Sequence, residues 1–248
     1  LSPRGRPGIG TSRPKVEVMT VAMHSAEDRL LYRRQYIMGP RPAERPGWAV
    51  VRVADDLWLS AHPDLGIVQS RRNGAHVVAL GYLIDPYAPQ ASDQQVLDRV
   101  AEQSRSFEDV IRHAEALSGA FVILHNDGVS VRAFSDAIGS RQIFYTREGG
   151  DLWCAAQPAL LAAHLDLTPD RDPLLRELAD SVVYRQNQQF WPGDGTLYVG
   201  VRHLLPNHHL DVRTGSVVRF WPNAPLPKLS PGDAVPVACE ILVGSLQA

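Results

Sequence analysis

The segment from Leu117 to Tyr145, LSGAFVILHNDGVSVRAFSDAIGSRQIFY, constrains the fold of this chain more than any other. Its apolar run Ala120–Leu124 has the length of a buried strand. Asn126-Asp127-Gly128 follows, and an Asp-Gly pair supplies the left-handed backbone that a tight hairpin needs. Val129–Phe134 reads as the returning strand, Asp136–Gly139 as a polar elbow, and Ile143–Tyr145 as a third strand. Strands joined by so short a turn are antiparallel, because a parallel pair needs a crossover of a dozen or more residues.

The same pattern recurs along the chain. Asp55-Asp56 separates Ala49–Val53 from Leu57–Ser60. Asn73-Gly74, the strongest short hairpin signal, separates Ile67–Ser70 from His76–Leu83. Glu148-Gly149-Gly150 separates Ile143–Tyr145 from Leu152–Ala155, and Arg213-Thr214-Gly215 separates His209–Val212 from Ser216–Trp221. Val16–Met23 reads as an edge strand.

Helices interrupt the hairpins. Ser92-Asp93-Gln94-Gln95 has the form of a capping box, with Val96, Leu97, Val100 and Ala101 on one face behind it. A second start at Ser106 leads into Phe107, Val110, Ile111, Ala114 and Leu117, with Gly119 expected at the helix exit. Gln157–Leu165 and Pro173–Tyr184 are expected to be helical, the latter with Asp172 as cap and Pro173 in the first turn. Hairpins flanked by helix pairs imply an α+β sandwich of mainly antiparallel sheets.

The two ends differ from the middle. Residues 1–15 hold three Pro, three Gly, three Arg and one Lys with no acid, a composition that cannot bury enough surface to order itself. Residues 16–222 are expected to form the domain. Residues 223–236 are expected to be a stiff Pro-rich linker. Residues 237–248 then read as the first helix of a further, C-terminal domain, so the sequence is expected to be a piece of a longer protein.

A net charge of −2 gives no reason to expect nucleic acid or an anionic membrane as partner. No apolar run approaches the ~18 residues of a membrane span, and no signal peptide opens the chain. With only Cys154 and Cys239, a disulfide framework is not implied, and a cytoplasmic location is expected. The scattered histidines show no metal-ligand spacing.

Four ordered pieces between about residues 75 and 222 resemble a known family. Leu117-Ser118-Gly119-Ala120-Phe121 looks like its L-x-G-x-F. Asp136-Ala137-Ile138-Gly139 with Phe144-Tyr145 looks like its D-x-x-G-x-x-x-L-Y-Y. Trp153-Cys154-Ala155-Ala156-Gln157 with Leu160-Leu161 looks like its F-A-S-E-x-K-A-L-L, the Ser-Glu pair being changed. Thr196-Leu197-Tyr198-Val199-Gly200-Val201, Leu204, Pro206, Leu210, Gly215 and Phe220-Trp221 look like its last block, T-x-F-x-G-I-x-x-L-x-P-G-x-x-L…G…Y-W. The family is the N-terminal glutaminase-like domain of asparagine synthetases, a class II glutamine amidotransferase of N-terminal-nucleophile (Ntn) hydrolase type.

The resemblance implies an Ntn-hydrolase-like sandwich and a reaction. In active members an N-terminal Cys attacks the side-chain amide of glutamine, with its own α-amine as base and an oxyanion hole beside it. This sequence departs from that pattern. No Cys precedes Cys154, and Leu80-Gly81-Tyr82 stands where active members carry N-G-E. Thr20 would become a nucleophile only if processing exposed it, and Val18, Val21 and Met23 around it read as strand. Ser92 and Asp93 keep the form of the family's substrate-binding S-D pair, although helix capping also explains them. Cys154 reads as a buried strand residue and Glu148-Gly149-Gly150-Asp151 as a turn that lacks the serines of a pyrophosphate loop.

Lasso-peptide cyclases and β-lactam synthetases are similar cases, being family members without the N-terminal Cys. The resemblance therefore implies a degenerate scaffold domain of an ATP-dependent, amide-forming ligase. ATP and Mg would be bound by the C-terminal synthetase-like domain in cis, none by this domain, and the acceptor would be a small molecule or peptide. The alternative is an active glutaminase domain whose nucleophile lies outside this sequence.

Overall fold

The computed structural model describes residues 30–186, 193–226 and 228–248. The expected leader, the Val16–Met23 strand and Thr20 lie outside them. Among the described residues two six-stranded antiparallel sheets face each other. The first sheet has the order β10(Arg202–His203), β8(Phe144–Glu148), β9(Asp151–Ala155), β1(Tyr36–Gly39), β3(Leu57–Ala61), β2(Ala49–Ala54). The second runs β12(Val217–Arg219), β11(His208–Asp211), β7(Val131–Ser135), β6(Ser118–Asn126), β5(Ala75–Ile84), β4(Ile67–Arg72).

The period-two alternation of the strands builds three cores from two sheets. Val78 and Leu80 of β5, Val122 and Leu124 of β6, Tyr36 and Met38 of β1, and Leu152 and Cys154 of β9 point between the sheets. The alternate residues Val77, Ala79, Phe121 and Ile123 point outward, against α1(Asp93–Gln103) and α2(Phe107–Ala114). On the other outer face Ile37, Phe144, Trp153 and Ala155 pack on Leu160 and Leu161 of α3(Pro158–Leu165). Helices, sheet, sheet and helix form four layers, an α+β sandwich. Burial on both faces explains why β5 and β6 are apolar almost without break.

Most hairpins and helix starts stand where the sequence puts them, and the differences have local causes. Gly119 lies inside β6, because α2 stops at Ala114 and leaves Leu117 outside the helix. β7 begins at Val131 instead of Val129: the Asp127 carboxylate accepts from Val129 N (2.9 Å) and Ser130 N (2.7 Å) and holds 127–130 as a loop. The helix expected over Pro173–Tyr184 is two, α4(Pro173–Asp180) and α5(Val182–Gln186). Ser181 breaks it, since its hydroxyl donates to Leu178 O (2.6 Å) and accepts from Tyr184 N (3.1 Å).

The terminal helix α6(Pro231–Gln247) starts within the expected linker, with Ser230 accepting from Asp233 N (3.3 Å) as its cap. It meets the sandwich closely at Gly244, where a side chain would strike Pro86 O, and at Ser245, whose hydroxyl is 3.1 Å from that of Ser118. No helix among the described residues is long and apolar enough to cross a membrane.

The tight turns gather at one end of the sandwich. Asn126 reaches from β6 to Val53 O (2.8 Å), and Arg213 reaches from its turn to Val129 O (2.7 Å) and Asp56 (3.3 Å). The opposite end holds Gln35, His62, Gly66, Gly81, Gly119 and the elbow 136–141.

Candidate functional site

The elbow end carries a polar group that ties several strands together, and its centre is Arg141. The elbow positions that residue through Asp136. One carboxylate oxygen of Asp136 accepts from Ser140 N (2.8 Å), the other from Arg141 N (2.9 Å) and Phe121 N (3.3 Å). Gly139 N closes the turn on Asp136 O (2.9 Å) with φ +67°. Its carboxylate therefore welds the elbow to β6, as the elbow reading of Asp136 and Gly139 requires.

From there the Arg141 guanidinium runs under the end of β5 and β6. Its Nε donates to Ala120 O (3.4 Å) and its Nη1 to Arg34 O (3.1 Å), the residue two before β1. Burial lowers the pKa of Arg141, while Tyr36 and Asp136 act to raise it. Tyr36, fully buried at the start of β1, donates its hydroxyl to Gln142 O (2.8 Å). Burial pushes its phenol well up, so it stays protonated at neutral pH. His62 N donates to Gln35 O (2.9 Å), and His62 Nδ1 accepts from Asp64 N (3.0 Å). Asp64 is itself tied to Arg33 at 2.6 Å, and this hydrogen bond lowers its pKa.

Leu80-Gly81-Tyr82 lies against this group. Gly81 has φ +102° and Gly119 φ +120°, and across the β5–β6 ladder Tyr82 pairs with Ala120 between them. A Cβ on Gly81 would collide with Ala120 O and come within 2.7 Å of Arg141 Nε, and one on Gly119 would collide with Tyr82 O. Only glycine serves at both positions. Gly81 N donates to Gly66 O (2.9 Å), Leu80 is buried, and Tyr82 is half exposed. No amide or carboxylate side chain is presented by this turn of β5.

Ser92 and Asp93 stand beside it. Asp93 accepts from Leu83 N (2.8 Å) and so ties the start of α1 to the end of β5. Ser92 completes a capping box with Gln95: its hydroxyl accepts from Gln95 N (3.4 Å), and its own amide donates to Gln95 Oε1 (2.9 Å). The fold thus brings Ser92-Asp93 next to Leu80-Gly81-Tyr82, with both polar side chains engaged in holding backbone.

Neither cysteine of the chain belongs to this group. Cys154 is fully buried in β9, opposite Met38 and Tyr145, and burial raises its pKa. A thiol so held is a packing residue. Cys239 is exposed on α6. Glu148-Gly149-Gly150 is the open β8–β9 turn. No cluster of three or more His, Cys, Asp or Glu among the described residues could hold a metal ion. Among the described residues the arrangement holds backbone and offers a half-buried cation.

Arg141, Arg34 and Tyr36 are the site residues that sequence reasoning missed. One signal pointed to Arg141: it is the basic residue within the D-x-x-G-x-x-x-L-Y-Y pattern. Nothing local marked Tyr36.

No protein-family model matches the sequence, and no curated protein does. Among solved structures the chain is similar to glutamine phosphoribosylpyrophosphate amidotransferase from B. subtilis, complexed with ADP and GMP, at 11% identity and a TM-score of 0.43. It is also similar to a protein described as the allosteric regulatory enzyme of purine biosynthesis, at 13% identity and a TM-score of 0.45. Each likeness covers 82% of this chain and 48% of the other, so the chain spans about half the length of those proteins.

Proposed function

We propose that this chain is the N-terminal, glutaminase-like part of an asparagine-synthetase-like, ATP-dependent, amide-forming ligase, and that it has lost glutamine hydrolysis. Its role is that of a scaffold, packing beside the synthetase-like part that would bind ATP and Mg and an acceptor amine. The single observation that carries this reading is the elbow end. Beside Leu80-Gly81-Tyr82, which stands where active members carry N-G-E, Tyr36 is bonded to Gln142 O and Arg141 spans Ala120 O and Arg34 O. Leu80 and Tyr82 flank the glycine that makes room for that guanidinium. Leu and Tyr in place of an amide and a carboxylate remove partners for the ammonium of glutamine, and a nearby guanidinium opposes it by charge.

The four family-like pieces support the same reading by their positions. Leu117–Phe121 leads into β6, Asp136–Gly139 is the elbow, and Trp153–Gln157 runs from β9 to the cap of α3. Phe220 packs on Phe134 at 5.7 Å.

Incubation of the full-length protein with glutamine tests the loss of activity. No glutamate or ammonia above a blank is expected; turnover would restore the alternative of a working glutaminase. The ligase assignment is tested separately, by reading the gene beyond residue 248 for the S-G-G-x-D-S pyrophosphate loop, whose absence would sink it.

A further inference from the structure

Arg41, Arg45 and His164 gather on the outer face of the first sheet, and among the described residues no carboxylate is paired with either arginine. The Arg41 guanidinium lies 5.2 Å from the Trp153 ring centre. That of Arg45 lies 5.0 Å from Tyr32 and 5.4 Å from Trp48. The His164 ring, in the last turn of α3, lies 4.6 Å from Trp153. The Tyr32 hydroxyl donates to Ala159 O (3.4 Å) and pins this aromatic layer to α3.

None of the ion pairs among the described residues includes Arg41 or Arg45. Glu44, between them in sequence, is exposed and joins no ion pair. Arg45 Nε and His164 Nε2 are both buried and without a hydrogen-bond partner. Burial lowers the pKa of Arg45; burial first, then Arg45 and Arg41, lower that of His164. His164 therefore feels both arginines as like charges, and among the described residues neither arginine forms an ion pair that would offset them.

The loop that carries the arginines is stiff. Pro40, Pro42 and Pro46 fix three of its φ angles. Ala43 N donates to the buried Ser60 hydroxyl (3.0 Å), and Trp48 N to Arg45 O (3.2 Å). Stacking on aromatic faces holds guanidinium planes and leaves their N–H edges available, the geometry that suits an oxyanion. Arranging cations in advance removes the ordering cost from binding.

We propose that Arg41, Arg45 and His164 form a binding site for a small oxyanion, the carboxylate or phosphate group of a small molecule. An anion lodged between them would take the unused Arg45 Nε and His164 Nε2 donors and offset the repulsion. The site adjoins the elbow end through Trp48, whose ring lies 6.0 Å from that of His62, but it does not depend on the glutaminase-like reading.

The test is a titration of the full chain with inorganic phosphate and, separately, with citrate, at ionic strength held constant with sodium chloride. The His164 ring is followed by NMR. Saturable binding that raises the His164 pKa is expected, because a neighbouring anion favours the imidazolium. Whichever anion saturates at lower concentration identifies phosphate or carboxylate as the ligand group. Arg41→Gln and Arg45→Met should each weaken binding at least about tenfold. Should Arg45→Met fail to fold, exposed Arg41 still supplies the comparison. No saturable shift with either anion, or an equal shift in the folded variants, overturns the proposal.

Discussion

The two ends of this sandwich use glycine for opposite purposes. At the hairpin end Gly74, Gly128, Gly149 and Gly150 all have positive φ, and an added Cβ at any of them would meet nothing within 4 Å. At the elbow end a Cβ on Gly81 or Gly119 would enter the neighbouring strand's carbonyl, and one on Gly139 would come within 2.9 Å of Pro206. At these four positions glycine serves chain reversal alone, although Gly215 in the neighbouring turn also leaves room for Arg147, whose Nη2 lies 2.8 Å from an added Cβ. The elbow end needs it to bring two backbones and a guanidinium into one volume. Turn glycines of the first kind are replaceable at the cost of strain, whereas those of the second kind are part of the packing.

The largest expected effect comes from Gly81→Ala. Left-handed strain of about 1–2 kcal/mol adds to a backbone collision of about 1–3 kcal/mol, a sum of about 2–5 kcal/mol that reaches the lower end of a domain's whole stability. Urea denaturation should show a marginally folded or unfolded protein. A midpoint close to that of the parent would mean that β5 and β6 can separate there, and the contrast between the ends would fail. Asp136→Ala comes next. It leaves the amides of Phe121, Ser140 and Arg141 without their acceptor, at about 1 kcal/mol each after partial rescue by water, so about 3 kcal/mol. The same variant should speed hydrogen exchange at Ser140 and Arg141 without changing it at Val129.

These two variants also mark what could be read from the sequence. The hairpin end was legible because its signals are local: Asn73-Gly74 and Asp127-Gly128 lie within four residues of the turns they make. Ser92 and Ser106 marked α1 and α2 for the same reason. The elbow end was legible only in part. Asp136 and Gly139 could be read as a turn, but their purpose depends on Arg141 meeting Arg34 O across 107 positions and Ala120 O across 21. β1 escaped notice because it has four residues, and its pairing with Leu59, Ser60 and Cys154 is entirely non-local. Without β1, Tyr36 could not be recognised as part of the elbow end.

Acid should act at the hairpin end through His76 and His125, while beside the elbow end burial also lowers the pKa of His203, which pairs with Phe144. His76 bonds Val53 O (3.2 Å) and Gln69 Oε1 (3.0 Å), and burial lowers its pKa, followed by Arg71. His125 packs on Phe107 at 5.7 Å; burial lowers its pKa and Arg132 adds to this, against Asp127 and Glu108. Both are therefore neutral in the folded chain at a pH where the unfolded chain begins to bind protons. Their contribution is fully present above the unfolded value of about 6.5 and is lost as pH falls from there through the folded pKa values. Hydrogen exchange between pH 7 and pH 5 should accelerate, after correction for intrinsic rates, at Ala75–Val77 before Phe121 and Arg141. Uniform loosening would show that the two ends do not respond separately. His76→Gln keeps a polar side chain and removes the titration, so the pH dependence at Ala75–Val77 should flatten.

The smallest effect tests the comparison most sharply, because it repeats the first substitution at the other end. Gly74 has φ +79° and open space around it, and the preceding Asn73 also lies in the left-handed region at φ +53°. Gly74→Ala therefore brings conformational strain without collision, about 1 kcal/mol, part of which is returned by the reduced freedom of the unfolded chain. Asn73 limits the damage further. Its Nδ2 donates to Ser104 O (2.9 Å), Glu102 O (3.1 Å) and Ala101 O (3.3 Å), so the turn is anchored to the end of α1 whatever residue follows. The urea midpoint of Gly74→Ala should move by a quarter or less of the shift seen for Gly81→Ala, with an unchanged slope. Equal losses would mean that positive φ alone sets the cost at both ends. A small loss at Gly74 beside a large one at Gly81 would assign the difference to the approach of Ala120 O and Arg141, the contacts that close the elbow end.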